Sequence, residues 1–217
     1  MNKQNSPGGP YSAEPGDAQA FTSWFDRLYT RLARPYDLVV KALPVWRHWI
    51  SAALPHIRGP RVLEVSFGTG WLLTRYADNF EAHGVDLNER MVAIAQRNLQ
   101  RAGMNAELRQ ANVEALPYPD GHFDTVVNTM AFSGYPNGQR AMSELHRVLR
   151  PQGRLVLIDV GYPHDGNRLG GALVGMWKRA GDVIRDMPPL FASFGFDVYH
   201  GQVGGFGSVH LYVATKQ

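Results

Sequence analysis

The stretch Val62-Leu63-Glu64-Val65-Ser66-Phe67-Gly68-Thr69-Gly70 decides the fold. Val62, Leu63 and Val65 form a short apolar run with β-branched members, bounded by Gly59-Pro60 before it and by Gly68 and Gly70 after it, as a buried strand requires. Two glycines one residue apart, followed by an apolar helix-like segment over residues 71–77, let the backbone turn sharply and come close to a ligand. The stretch therefore predicts the first strand and binding turn of an α/β sheet. A dinucleotide fingerprint would want a third glycine where Leu73 stands and a later acid than Asp86, so NAD is set aside.

Outward from that turn, residues 80–86 (FEAHGVD) read as a second strand ending on Asp86. Ligands of parallel α/β sheets lie beyond the carboxyl ends of the strands, and an acid roughly 20 residues past the glycine turn can accept both hydroxyls of a ribose. Asp86 can instead cap the helix over 88–101, although Asn88, spaced suitably from Met91, suits that task too. Residues 106–111 (AELRQA) are polar enough for a third strand at the sheet edge. Pro117, Pro119 and Gly121 mark a loop before a fourth strand over 123–130, which Asp124 opens as a structural acid holding loop amides. A helix over 137–149, a turn at 150–153, a fifth strand, a helical region over 169–194 and two strands at 196–200 and 208–215 complete the alternation.

Upstream, residues 1–19 are rich in proline, glycine and polar residues and predict a disordered tail. Phe21, Trp24, Phe25, Leu28 and Leu32 then fall on one face of an amphipathic helix, which Pro35 ends or restarts. A second helical stretch over 36–56 is interrupted at Pro44 and holds Trp46 and Trp49. These helices pack on the sheet edge, form a lid over the ligand, or lie in a membrane interface.

With 217 residues the chain supports one domain. Having no cysteine, it has no disulfide, thiolate metal site, iron–sulfur cluster or cysteine nucleophile. A net charge of +3 and a pI near 9.3, without a run of Lys or Arg, permit an anionic substrate or membrane surface and argue against nucleic acid. Without a membrane span or a signal-peptide core, the expected location is the cytoplasm. His83, His122, His146, His200 and His210 show no metal-ligand spacing, and no metal is expected.

Together these segments resemble the class I S-adenosylmethionine (SAM) dependent methyltransferases. Their first motif is similar to E/D-x-G-x-G-x-G; Glu64, Gly68 and Gly70 match it, and Ser66 replaces the first glycine. GVDLNERMVAIAQ, ANVEALPYPDGHFD and LRPQGRLVLID follow in the family's order, from Arg61 to Asp159. The resemblance implies a Rossmann-like seven-stranded, mostly parallel sheet of order 3-2-1-4-5-7-6 with the last strand antiparallel, helices on both faces and an N-terminal helical lid. It divides the chain into a tail (1–19) and one methyltransferase domain (20–217), with the lid at 20–58 and the SAM-binding core at 59–217. SAM is the implied cofactor and S-adenosylhomocysteine its product. The implied cofactor residues are Glu64, Ser66, Phe67, Gly68, Thr69 and Gly70 of the turn; Asp86 at the ribose; Leu87 and Met91 flanking the adenine; Asn112 accepting from its amino group; Val113 offering its backbone N–H; Asn128 at the methionine portion; and Tyr36 from the lid.

Methyl transfer from a sulfonium is a direct displacement, so alignment and exclusion of water supply most of the catalysis. A base matters only where the acceptor must lose a proton. Tyr135, Tyr162, His164 and Asp165, on loops after the fourth and fifth strands, are the candidates, and His164 and Tyr135 are put forward; the alternative for His164 is a solvated loop histidine. The segments YDLVVKALPVWRHWI, which begins at Tyr36, and FGFDVYHGQVGGFGSVHLYVATK resemble ubiquinone/menaquinone-type C-methyltransferases and imply a small-molecule or lipid-like acceptor. The apolar stretch over 169–177, followed by Lys178-Arg179, suits a greasy pocket, a peripheral membrane contact or plain packing. A phospholipid N-methyltransferase and a non-catalytic SAM-binding regulator, the latter favoured by Ser66 and Asn112, stand as alternatives.

Overall fold

The structure, a computed structural model, describes residues 11–42 and 44–217, the side chains of residues 29 and 32–42 excepted. Seven strands, β1 (Arg61–Val65), β2 (Glu81–Asp86), β3 (Glu107–Gln110), β4 (Phe123–Thr129), β5 (Leu149–Val160), β6 (Phe196–Gly204) and β7 (Val209–Lys216), form one sheet in the order β3-β2-β1-β4-β5-β7-β6. From β3 to β5 the neighbours run parallel, and β7 lies antiparallel between β5 and β6. The order and the antiparallel last strand are those the family resemblance implies. β1 and β4 are buried over nearly their whole length because both their faces are covered, whereas β3 (ELRQ) can be polar because it is an edge.

Among the described residues, α1 (Ala18–Ala42), α2 (Pro44–Ser51), α3 (Leu73–Tyr76), α4 (Glu89–Ala102), α5 (Gly138–Val148), α6 (Arg168–Arg179) and α7 (Met187–Ser193) surround the sheet. One apolar layer includes Met142, Leu145 and Phe191 of α5 and α7, and another includes Leu73, Val92 and Leu99 of α3 and α4. Asn88 and Asn137 cap α4 and α5, accepting from Met91 N–H and Arg140 N–H, and each such cap is worth about 1 kcal/mol. The cap of α4 is thus Asn88, which frees Asp86 for another task.

Several local expectations are corrected. α1 continues through Pro35, whose lack of an N–H removes one helical bond without ending the helix. The turn over 150–153 is absorbed into β5 as a register shift, with Gln152 at φ +63°, because Phe123 still pairs with Leu149. The helical region over 169–194 is two helices separated by residues 180–186. Residues 1–10 of the expected tail lie outside the described residues, and from Tyr11 the segment is pinned. Ser12 N–H donates to the Ile184 carbonyl at 2.8 Å, and the Glu14 carboxylate accepts Gly138 N–H at 2.9 Å and lies 3.6 Å from Arg185. Backbone and carboxylate bonding thus overrides the polar composition of that stretch.

Candidate functional site

The chain leaves β1 in one direction toward β3 and returns through β4 in the other, so a crevice opens beyond the carboxyl ends of β1 and β4. Unusual backbone collects there: Ser66 and Met130, the residues just after β1 and β4, both have φ +53° and both line the crevice. Left-handed conformation at a side-chain-bearing residue costs of order 1 kcal/mol or more and persists only where the surroundings impose it. Here Ser66 N–H is held by the Val85 carbonyl at 2.7 Å and Met130 N–H by the Ile158 carbonyl at 2.6 Å.

Asp86 closes one end. Its two oxygens accept Gly68 N–H at 2.8 Å and Asn88 N–H at 2.9 Å, so the carboxylate ties the glycine turn to the start of α4. Burial nevertheless pushes its pKa up to about 6, against the pull of those two donors. The turn is fixed from behind by Asn98 of α4, whose amide donates to the Thr69 carbonyl at 2.9 Å. Glu64, below the crevice, accepts the Tyr76 hydroxyl at 2.9 Å, and burial raises its pKa to about 8, so at neutral pH much of it is the neutral acid.

Tyr135 forms the other wall. Asn128 Nδ2 donates to its hydroxyl at 2.7 Å and faces the Val65 carbonyl at 3.5 Å, an orientation that leaves the phenolic proton to Ser66 Oγ at 2.7 Å. The Ser66 proton is thereby available to a ligand. Burial raises the Tyr135 pKa well beyond its ordinary value, so this hydroxyl stays protonated and holds its neighbours in place. Arg185 holds the segment by donating to the Phe132 carbonyl at 3.1 Å and to the Tyr135 carbonyl.

Eleven of the lining residues are ones the sequence points to. Glu64, Ser66, Phe67, Gly68, Thr69, Asp86, Leu87, Met91, Asn112, Val113 and Tyr135 all border the crevice. Gly70 stands behind it, where a Cβ would come within 2.8 Å of the Ala95 side chain, so its glycine serves helix packing. Asn128 is fully buried behind Tyr135, with its Oδ1 lacking a partner among the described residues. Asn112 Oδ1, expected to accept from an adenine, already accepts Glu114 N–H at 2.9 Å in a local turn. The Tyr36 side chain lies outside the described residues.

His164 is corrected. It does not border the crevice; it packs against His200 and His210 on the β6–β7 side, with ring centroids 4.7 and 5.3 Å away. Burial and the His200 ring hold His210 down at about 4, and burial with His164 lowers His200.

A roof of Thr22, Phe25 and Asp26 from α1 and Trp46 and Ile50 from α2 covers the crevice, in the segment for which a lid is one of the expectations; its fastening, and Asp182 beside it, carry no local sequence signal. Asn88 fastens it, its amide donating to Asp26 Oδ1 at 2.8 Å and to Thr30 Oγ1 at 2.6 Å. Asp182 also lines the crevice. Its carboxylate and that of Asp159 each lie 2.9 Å from the Ser133 hydroxyl, which has one proton for two acceptors. Burial raises both acids, Asp159 to about 6, so a proton is readily held in this triad. The signal was weak because these partners lie far apart in the chain.

The profile of the family described as "Methyltransferase domain" matches residues 63–157. A demethylmenaquinone methyltransferase from Thermus thermophilus is 33% identical over 147 residues, covering 64% of this chain and 67% of its own length. A phosphatidylethanolamine N-methyltransferase from Cereibacter sphaeroides is 38% identical over 111 residues, 50% of this chain and 55% of its own. Among solved structures, a SAM-dependent methyltransferase from Thermotoga maritima, described as a possible histamine N-methyltransferase, superposes with a TM-score of 0.70 at 19% identity, over 88% of this chain and 99% of its own.

Proposed function

Because the chain belongs to the class I SAM-dependent methyltransferases, we propose that its acceptor is an apolar, lipid-like ring compound admitted beneath α1 and α2. The observation that carries this reading is the composition of the roof: Phe25, Trp46 and Ile50 face a floor bearing Met130 and Tyr135. The donor set fits the cofactor. The Asp86 carboxylate suits a ribose diol, Leu87, Met91 and Val113 suit an adenine ring, and the Ser66 proton left over by Tyr135 suits a polar tail. When bound, SAM supplies a methyl group on a sulfonium, ready for direct displacement.

The protein's own part is to exclude water under the roof, align the acceptor atom and receive a proton where one is lost. Asp182, the member of the Ser133 triad that borders the crevice, is proposed for that last role in place of His164, since burial has raised its affinity for a proton.

Exposed Leu169 and Met176 on α6 and Phe206 near its start, with Arg168 and Arg179 on the same helix, support delivery of the acceptor from a lipid surface. No described helix is long and apolar enough to cross a membrane. A phospholipid amine is the second reading, supported by the similarity to the phosphatidylethanolamine enzyme.

The test is release of S-adenosylhomocysteine from SAM in the presence of reduced demethylated quinones, phosphatidylethanolamine vesicles or simple phenols. Turnover with the quinones alone supports the first reading; turnover with vesicles alone replaces it by the second. SAM binding without turnover on any of them favours the non-catalytic regulator.

A further inference from the structure

Two of the histidines without ligand spacing, His200 and His210, meet the loop residue His164 in space. His164 lies on the loop after β5, His200 on β6 and His210 on β7, and one ring nitrogen of each lies within 4.8 Å of those of the other two. The geometry points to a site for a divalent transition-metal ion of the zinc type, held by these three imidazoles at the β6–β7 edge, outside the crevice and independent of the methyl acceptor.

The elements that build it are rigid on two sides. Gln202 pairs with His210 and His200 with Tyr212 across β6 and β7, so the two strand histidines sit diagonally on neighbouring strands. The Tyr212 ring stacks on His200 at 4.6 Å between centroids and backs the pair. His200 Nε2 and His210 Nδ1 lie 2.9 Å apart, joined by one shared proton. An ion coordinated by both nitrogens displaces that proton. Bond lengths of about 2.0–2.1 Å in a tetrahedral shell ask for nitrogens about 3.3 Å apart, so this pair opens by a few tenths of an ångström and the widest gap closes. His164, exposed on its loop, can make that movement.

The surroundings suit such an ion. His210 Nε2 is buried without a partner in hydrogen-bonding geometry, yet the backbone of Gly161 and Tyr162 lies beside it. A metal-bound imidazole characteristically turns its other N–H toward such a carbonyl. Imidazole ligands select zinc, cobalt, nickel or copper over calcium and magnesium, and three of them leave a fourth position open to water or a small ligand. The competing cluster of Glu81, His83 and His122 is less suited, because Glu81 is already paired with Arg61 at 3.2 Å and the neighbouring Glu107 with Arg109.

The experiment is titration of the full chain, freed of any affinity tag and dialysed against chelator, with Zn2+ by calorimetry and with Co2+ by visible absorption. The expected result is one equivalent of Zn2+ per chain, a four-coordinate cobalt spectrum and a melting temperature raised by Zn2+. His164→Ala and His200→Ala each weaken binding roughly tenfold or more and abolish the thermal shift. His164 is exposed, so its variant keeps the parent's circular dichroism and chelator-treated melting temperature, which guards against loss of fold. Absence of stoichiometric binding overturns the proposal, as does binding unchanged in both variants, which would put the ion elsewhere.

Discussion

The hydroxyl of Tyr135 stands 2.7 Å from that of Ser66, and Asn128 on its other side fixes which of the two gives the proton. Tyr135→Phe removes the middle of this relay and leaves the buried Asn128 amide without its best acceptor. The expected cost is about 1–3 kcal/mol of stability from the unsatisfied amide, and about 0.5–1.5 kcal/mol in S-adenosylhomocysteine binding as Ser66 reorients. Denaturant unfolding and calorimetry check the two numbers separately; unchanged binding would detach Ser66 from the ligand.

With its raised pKa, Asp86 is expected to carry the pH dependence of cofactor binding. Its folded pKa of about 6 lies above the unfolded value of about 3.9, so the stability it confers is complete below about pH 4 and is lost as pH rises through about 6. A ribose donating to the carboxylate favours the ionised form. Affinity for S-adenosylhomocysteine should therefore increase from pH 5 to pH 7 with release of a proton, measurable in buffers of different ionisation enthalpy. In Asp86→Asn this pH dependence should vanish and affinity should fall at pH 7.

Gly70 has φ +70°, and any Cβ there meets Ala95 of α4 at 2.8 Å. Gly70→Ala should destabilise the chain by about 1–3 kcal/mol through strain and overpacking. Ala95→Gly, which opens the facing space, should recover part of the loss in the double variant. No recovery would assign the cost to backbone strain alone.

Asn88 is the point where roof and floor meet, since its Oδ1 caps α4 while its Nδ2 binds Asp26 and Thr30. Asn88→Asp keeps the cap acceptor but sets a carboxylate against Asp26. Faster hydrogen exchange over residues 18–31 and weaker product binding are expected, with the core's unfolding midpoint nearly unchanged. Equal exchange rates would mean that the apolar contacts of Phe25 and Trp46 alone hold the roof.

What the sequence revealed and what it hid follow from chain distance. The glycine turn, Asp86 and Asn112-Val113 are contiguous signals, each legible because strand, turn and helix start follow within a few residues. The apolar run of β1 likewise marked a strand covered on both faces. The Asn88–Asp26 latch joins residues 62 apart, and Ser133–Asp182 joins residues 49 apart. Only the crossover topology brings such pairs together. Asn112 was identified as a lining residue, but its local turn, which occupies the carbonyl oxygen, was invisible without the backbone. His164 was assigned to the right loop and the wrong neighbourhood: β7 inserts between β5 and β6, and that insertion draws the loop toward the two strand histidines.

The latch at Asn88 also sets an order of events. The side chain that fastens α1 belongs to the residue whose backbone N–H holds Asp86, so the roof and the proposed seat of the cofactor share one support. A ligand passing beneath α1 waits for the same bonds to part on its way in and on its way out. If product leaves by that path, its release is expected on the timescale of roof opening, and a burst in the first turnover of a rapid-mixing experiment would show it.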